Sequence, residues 1–193
     1  MRHFMTTLPL YLQDDKQGLT DKGFAISNVW YHGTSSALLP SILEFGLKRS
    51  GDNELNQAAQ KTMATIGNQF TPTQEPVFLT QSKELAYYWA TQAIRDRSVR
   101  FEGEEEPVVL AVTLDEKLQA QVKPDVGAMS LLLMDSGEHF MAHLASIYEQ
   151  RGVPVPDIDL KQADRMDFLT KLGMAYINQN IDAKNIKLVS EVR

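Results

Sequence analysis

Cysteine is absent from the 193 residues, which removes disulfide frameworks and thiolate metal sites together and makes a reducing, cytoplasmic setting the expectation. Long apolar runs are absent too. The stretch from Phe4 to Leu12 is broken by Thr6, Thr7 and Pro9 and is followed at once by Asp14 and Asp15, so neither a membrane span nor a signal peptide is expected. Positive charge is in deficit: 19 Lys and Arg against 25 Asp and Glu leave a formal charge of −6, which argues against nonspecific affinity for nucleic acid, because that affinity depends on cations neutralising phosphates. A local basic groove built from Lys48, Arg49, Arg95, Arg97 and Arg100 stays open, with scattered solvated cations as the plainer expectation. No internal repeat or low-complexity tract is visible.

What is present, 43% hydrophobic and 23% charged residues, suffices to bury one substantial core. A single domain over residues 1–193 is therefore expected, with 1–27 as an N-terminal extension and 127–173 as a helical insertion. The spacing predicts a short strand at Val29 to Tyr31, a tight turn at His32-Gly33-Thr34, and a helix near Leu38 to Phe45 that buries Leu39, Ile42 and Leu43 and stops at Gly46. The polar stretch from Ser50 to Glu75 reads as a long loop with a short helix around Glu54 to Ala64, and loops of that length usually have a task such as covering a ligand. A buried strand at Val77 to Leu79 leads into a helix from Ser82 to Ile94 with Leu85, Tyr88, Trp89 and Ala93 inward. After a solvated acidic turn, Glu102 to Glu106, comes an alternating strand from Val108 to Leu114. Helical spacing runs from Gly127 to Gly152 and from Leu160 to Gly173, and extended stretches close the chain at Ala175 to Asn178 and Ile186 to Val192. Strands and helices mix without regular alternation, which predicts α+β and not a doubly wound sheet.

Three ordered blocks carry a resemblance. They are Tyr31-His32-Gly33-Thr34 with Ser41-Ile42 and Gly46-Leu47; Val77-Phe78-Leu79-Thr80 with Ala86-Tyr87-Tyr88; and Ala175-Tyr176-Ile177-Asn178 with Ala183-Lys184. Together they resemble the ADP-ribosyltransferases of the diphtheria-toxin and poly(ADP-ribose) polymerase type. The resemblance implies a split antiparallel sheet with flanking helices, NAD as the substrate and cofactor-like ligand, and a toxin-like mono-ADP-ribosyltransferase whose acceptor is a protein or a nucleic acid. An antitoxin or chaperone partner is what it further implies, while the lack of a long apolar run leaves no membrane partner expected. It assigns His32, Gly33, Thr34, Phe78, Tyr87 and Tyr88 to the ligand, with His32 and Tyr88 also catalytic. The residue types suit the task. Glycine lets backbone approach a carboxamide, a neutral imidazole binds ribose hydroxyls without adding charge, and two rings at Phe78 and Tyr88 clamp nicotinamide, with Tyr87 as the second choice. Ala175 occupies the position where the family holds its catalytic glutamate, so the resemblance implies impaired transfer. An inactivated variant, a natural pseudoenzyme, or a strand register in which Gln179 or Glu191 supplies the polar group would each account for it.

Other readings stay open on the residues alone. Asp135, His139 and His143 recur every four positions with Glu138 beside them, a helical face that would suit a metal-dependent hydrolase, although it is not a His-Glu-x-x-His pattern and no metal is expected. An RNA 2′-phosphotransferase-like enzyme and a noncatalytic module binding NAD or ADP-ribose keep the fold and change the task.

Overall fold

Two seven-residue strands that pair along their full length set the framework of the chain, and the rest is arranged to cover them. In the computed structural model the described residues are 8–69, 71, 74–155, 157–159 and 161–190. In chain order the elements are β1 (Leu19–Thr20), β2 (Gly23–Phe24), β3 (Val29–Ser35), α1 (Leu39–Phe45), α2 (Asn53–Thr65), β4 (Val77–Leu79), α3 (Lys83–Ser98), β5 (Pro107–Thr113), α4 (Glu116–Gln119), β6 (Lys123–Pro124), α5 (Met129–Leu132), α6 (Asp135–Gln150), α7 (Arg165–Thr170), β7 (Ala175–Ile177) and β8 (Ile186–Leu188). The chain is mixed α+β with small antiparallel sheets: β1-β2, the three-stranded β3-β5-β8, and the three-stranded β4-β7-β6.

β3 is longer than the sequence suggests. Val29 to Ser35 pairs in full with β5, from Val29 opposite Thr113 to Ser35 opposite Pro107, so His32-Gly33-Thr34 lies within a strand and is not a turn. The turn falls after it, where the Ser35 hydroxyl accepts the Ala37 N–H and the chain enters α1. Gly46 ends that helix at φ 83° with its N–H donating to the Ile42 carbonyl, as a left-handed stop requires. Of the three residues expected inside, Ile42 is buried while Leu43 is exposed, because α1 packs through one narrow edge near Leu47 and Ile181.

Residues opposite one another on paired strands share a face, so Trp30, Leu110 and Val112 of one sheet join Val77, Leu79, Ala175 and Ile177 of the other in a common core. α3 covers the reverse side of β3. The face expected inward is Leu85, Tyr88, Trp89 and Ala93; the buried residues are Leu85, Ala86 and Ala90, together with Glu84 and Arg97. Small side chains win here because they let helix and strand approach: a Cβ on Gly33 would lie 1.8 Å from the Ala86 carbonyl oxygen. A second core joins Leu85 to Phe140, Leu144, Ile147 and Tyr148 of α6, to Phe168 and Leu172, and to Leu19 and Phe24. The residues expected as an extension and an insertion thus contribute to the interior.

The acidic stretch before β5 is not simply solvated. Arg97, only 3% exposed, holds Glu105 at 2.8 Å, Glu54 at 2.9 Å and Asp52 in ion pairs, and Ser35 also donates to Glu105. Among the described residues no helix is long and apolar enough to cross a membrane.

Candidate functional site at the junction of two sheets

The two three-stranded sheets meet at one bridge, where the Tyr31 and Thr80 N–H groups donate to each other's carbonyls at 2.8 and 3.0 Å. Continued pairing would set Gly33 against Phe78. Instead the strands part, and the His32 side chain takes the place of a ladder bond, its Nδ1 lying 2.9 Å from the Phe78 carbonyl oxygen. A carbonyl can only accept, so Nδ1 carries the proton and Nε2 keeps a lone pair. Burial lowers the His32 pKa, against the smaller opposing effect of that hydrogen bond, so the ring is neutral at pH 7. Backbone polar groups alternate in direction along an antiparallel strand. The N–H and C=O of Gly33 therefore point the same way as those of Tyr31, into the gap left by the diverging strands.

A cavity of about 390 Å³ opens at this gap, lined by His32, Gly33, Phe78, Trp89, Asp125 and Ala175 among others. Its volume suits a heterocycle and its immediate substituents. A neighbouring cavity of about 470 Å³ shares His32, Gly33 and Phe78 with it and adds Thr34, Ser41, Lys48, Arg49, Asp52 and Glu54. A third, of about 520 Å³, is reached across Phe78, Asp125 and Ala128. Phe78, 47% exposed and not the buried core residue its strand suggested, borders all three.

The sequence-derived site residues divide accordingly. His32, Gly33, Phe78 and Ala175 come together in the first cavity, and Thr34 lines the second. The aromatic assignments on α3 need correction. With Ala86 and Ala90 pressed on Gly33, helical phase turns Trp89 into the cavity. Tyr88 faces α6, stacked on His143 with ring centroids 5.0 Å apart, and Tyr87 packs beside Leu12 and Val109. Gly33 also has a different primary reason: its missing side chain admits α3, while its backbone is what remains available to the gap. Gln179 is exposed and does not line the cavity, and Glu191 lies outside the described residues.

Asp125 was not singled out by sequence. It follows β6, whose Pro124 pairs with Ala175, and a single carboxylate after a two-residue strand leaves no periodic signal. Its Oδ1 accepts the Ala128 N–H at 3.3 Å, and burial raises its pKa. Trp89 had a usable signal in the small residues Ala86 and Ala90, which mark the helix face nearest β3.

The other candidate clusters disperse. Asp135, Glu138 and His139 are exposed on α6, while His143 is engaged by Tyr88; among the described residues no group of three or more His, Asp or Glu is placed to hold a metal ion. Of the five cations considered for a groove, Lys48 and Arg49 line the second cavity, Arg97 is locked in its ion cluster, and Arg95 and Arg100 are exposed. No protein-family model matches the chain, and neither a curated protein nor a solved structure matches it in search.

Proposed function

We propose that this chain is a toxin-like mono-ADP-ribosyltransferase domain that binds NAD and, with Ala175 where a carboxylate would act, transfers ADP-ribose poorly or not at all. One observation carries the reading: His32, Gly33, Phe78 and Ala175, picked from three separate stretches of sequence, line a single cavity where two antiparallel sheets part. The flanking cavity through Thr34 and Arg49 gives the remainder of a dinucleotide somewhere to lie.

Each residue has a defined job under this reading. The Gly33 backbone offers one donor and one acceptor to the carboxamide, Phe78 and Trp89 hold the ring between them, and His32 Nε2 accepts from a ribose hydroxyl. In the reaction the bond between the ribosyl carbon and the nicotinamide nitrogen breaks, the bonding pair leaves with nicotinamide, and an acceptor nucleophile attacks from the opposite side and gives up a proton. Positive charge builds on the ribose as the bond lengthens. A carboxylate at position 175 would stabilise it, and losing one such preorganised group costs about 100- to 1000-fold in rate. Binding needs no such charge and survives.

Titration calorimetry with NAD should give a one-to-one isotherm that weakens at least about tenfold in His32→Ala, the loss of one well-placed hydrogen bond. Ala175→Glu should raise nicotinamide release from NAD by about two orders of magnitude or more. A chain that binds NAD but gains nothing from Ala175→Glu would be a noncatalytic NAD-binding module. No NAD binding at all would remove the assignment.

A further inference from the structure

The third cavity lies on the far side of Phe78, and its construction is unlike that of the other two. Phe78, Tyr176 and Lys123 stand directly opposite one another across β4, β7 and β6, and residues in register share a face. Two adjacent aromatic rings and the stem of a lysine therefore form a row on the face of the sheet turned away from the shared core. Phe78 is largely open, Tyr176 half-buried and Lys123 exposed. Phe78 and Tyr176 of that row line the cavity of about 520 Å³ together with Arg165, Asn178 and Asp125, while Lys123 stands beside it, in register with Tyr176.

Both cations are free for a ligand: the six ion pairs among the described residues include neither Lys123 nor Arg165. Flat apolar rings, an amide, a half-buried carboxyl and two uncommitted cations are the complement of a planar base with amino and carbonyl edges carried on an anionic backbone. A helix in a groove would demand a long apolar trough, and a β-strand partner would demand an open sheet edge; this surface is a sheet face with aromatic relief.

We propose that the sheet face formed by Phe78, Tyr176 and Lys123, with Arg165 and Asn178 at its rim, binds an unpaired base of a single-stranded nucleic acid. Tyr176 is the stacking surface, Lys123 and Arg165 meet the flanking phosphates, and Asn178 and Asp125 reach the base edge. The overall formal charge of −6 keeps the interaction local and modest. If the NAD reading above holds, Phe78 separates this base from nicotinamide, and the platform is the acceptor side of the same cleft.

The test is fluorescence anisotropy with labelled single-stranded DNA and RNA of mixed sequence, about ten nucleotides long, at low salt. Binding is expected at about 1–100 µM. Tyr176→Leu, which keeps the apolar bulk but removes the ring, should weaken it about five- to a hundredfold. Two phosphate contacts on a single strand predict a log–log salt slope of about −1.4, which Lys123→Gln with Arg165→Gln should flatten toward zero. Because both of those positions are exposed, this second variant stays informative should Tyr176→Leu fold poorly. Absence of binding at about 200 µM, equal affinity in all variants, or tighter binding of duplex than of single strand overturns the proposal. So does transfer by the Ala175→Glu chain to protein alone that Tyr176→Leu leaves unchanged. NAD calorimetry on the same variants keeps the two readings separate. Oligonucleotide binding without NAD binding leaves the platform standing and removes the enzyme, whereas NAD binding without oligonucleotide binding does the reverse.

Discussion

At Gly33 a single missing side chain serves two ends. The strand can lie against α3 only because nothing projects from it there, and the same residue leaves its backbone donor and acceptor facing the gap between the sheets. A Cβ would meet the Ala86 carbonyl oxygen at 1.8 Å and the Ala90 nitrogen at 2.7 Å, both of them backbone atoms that cannot rotate aside. Gly33→Ala is thus a folding mutation before it is a binding mutation. Overpacking of this kind costs about 1–3 kcal/mol or more, and for a chain of this size each kcal/mol moves the melting temperature by about 2–4 °C. Differential scanning calorimetry should show a fall of about 5–10 °C for Gly33→Ala and less than about 3 °C for His32→Ala, which loses one side-chain hydrogen bond from a half-buried ring. Equal, small shifts would mean that α3 does not rest on the strand as closely as its spacing requires.

Among the longer helices, α2 is held differently from α3 and α6, which bury residues of their own. None of its residues is buried, so its placement beside the second cavity depends on its first turn. There Asp52 accepts the Glu54 and Leu55 N–H groups through one oxygen and pairs with Arg97 through the other, while Glu54 adds a second ion pair. Arg97→Met would keep the stem and remove the charge, leaving Glu105 and Asp52 without their cation in a poorly solvated place. Breaking such a cluster from one side typically costs about 3–5 kcal/mol. Hydrogen exchange should therefore accelerate at least about tenfold over Asn53 to Thr65, and more there than in β5; uniform acceleration would show that Arg97 supports the interior and not this helix in particular.

The elements also show what a sequence can disclose. Local signals located β4, the Gly46 stop and the helix within the long polar stretch, because turn chemistry and capping act within a few residues. The meeting of His32, Phe78 and Ala175 was legible from ordered motifs. The facing of Tyr88 and Trp89 was not, because three adjacent aromatics on a helix satisfy any phase, and the deciding fact is the fit of Ala86 onto Gly33 from a strand some fifty positions earlier. Glu105 read as solvent-facing for the same kind of reason: its partner Arg97 is fixed by tertiary packing and not by neighbours. Asp125 gave no local signal at all.

On the scale of the whole molecule, one polar knot ties three distant parts of the chain together. Asp14 from the N-terminal segment accepts the Ser82 hydroxyl at 2.5 Å and the Lys83 N–H at 2.5 Å at the start of α3, and its own N–H donates to Glu84. Arg151, just beyond α6, donates at 2.7 Å both to the Asp14 carbonyl oxygen and to Glu84. Burial is the chief reason the Asp14 carboxyl is raised from 3.8 to about 6, with the Glu84 charge adding to it and the Ser82 hydrogen bond opposing it. A carboxyl with a raised folded pKa binds its proton more tightly when folded than when unfolded. Its contribution to stability is therefore greatest below about pH 4, declines as the pH climbs through the interval between 3.8 and about 6, and is constant above it. That decline amounts to at most about 3 kcal/mol, and partial exposure reduces it to about 2 kcal/mol. Glu105 and Asp167, whose pKa values are lowered chiefly by hydrogen bonds from Arg97 and Lys171, act in the opposite sense. They are unaltered by substitution at position 14, so a comparison of variants cancels them. Asp14→Asn fixes the side chain in a neutral form. Urea unfolding of the two chains should give stabilities within about 1 kcal/mol of each other at pH 4, with the Asn chain ahead by about 2 kcal/mol at pH 7. A gap independent of pH would mean that the Asp14 carboxyl ionises as freely in the folded chain as in the unfolded one, and that the knot is wet.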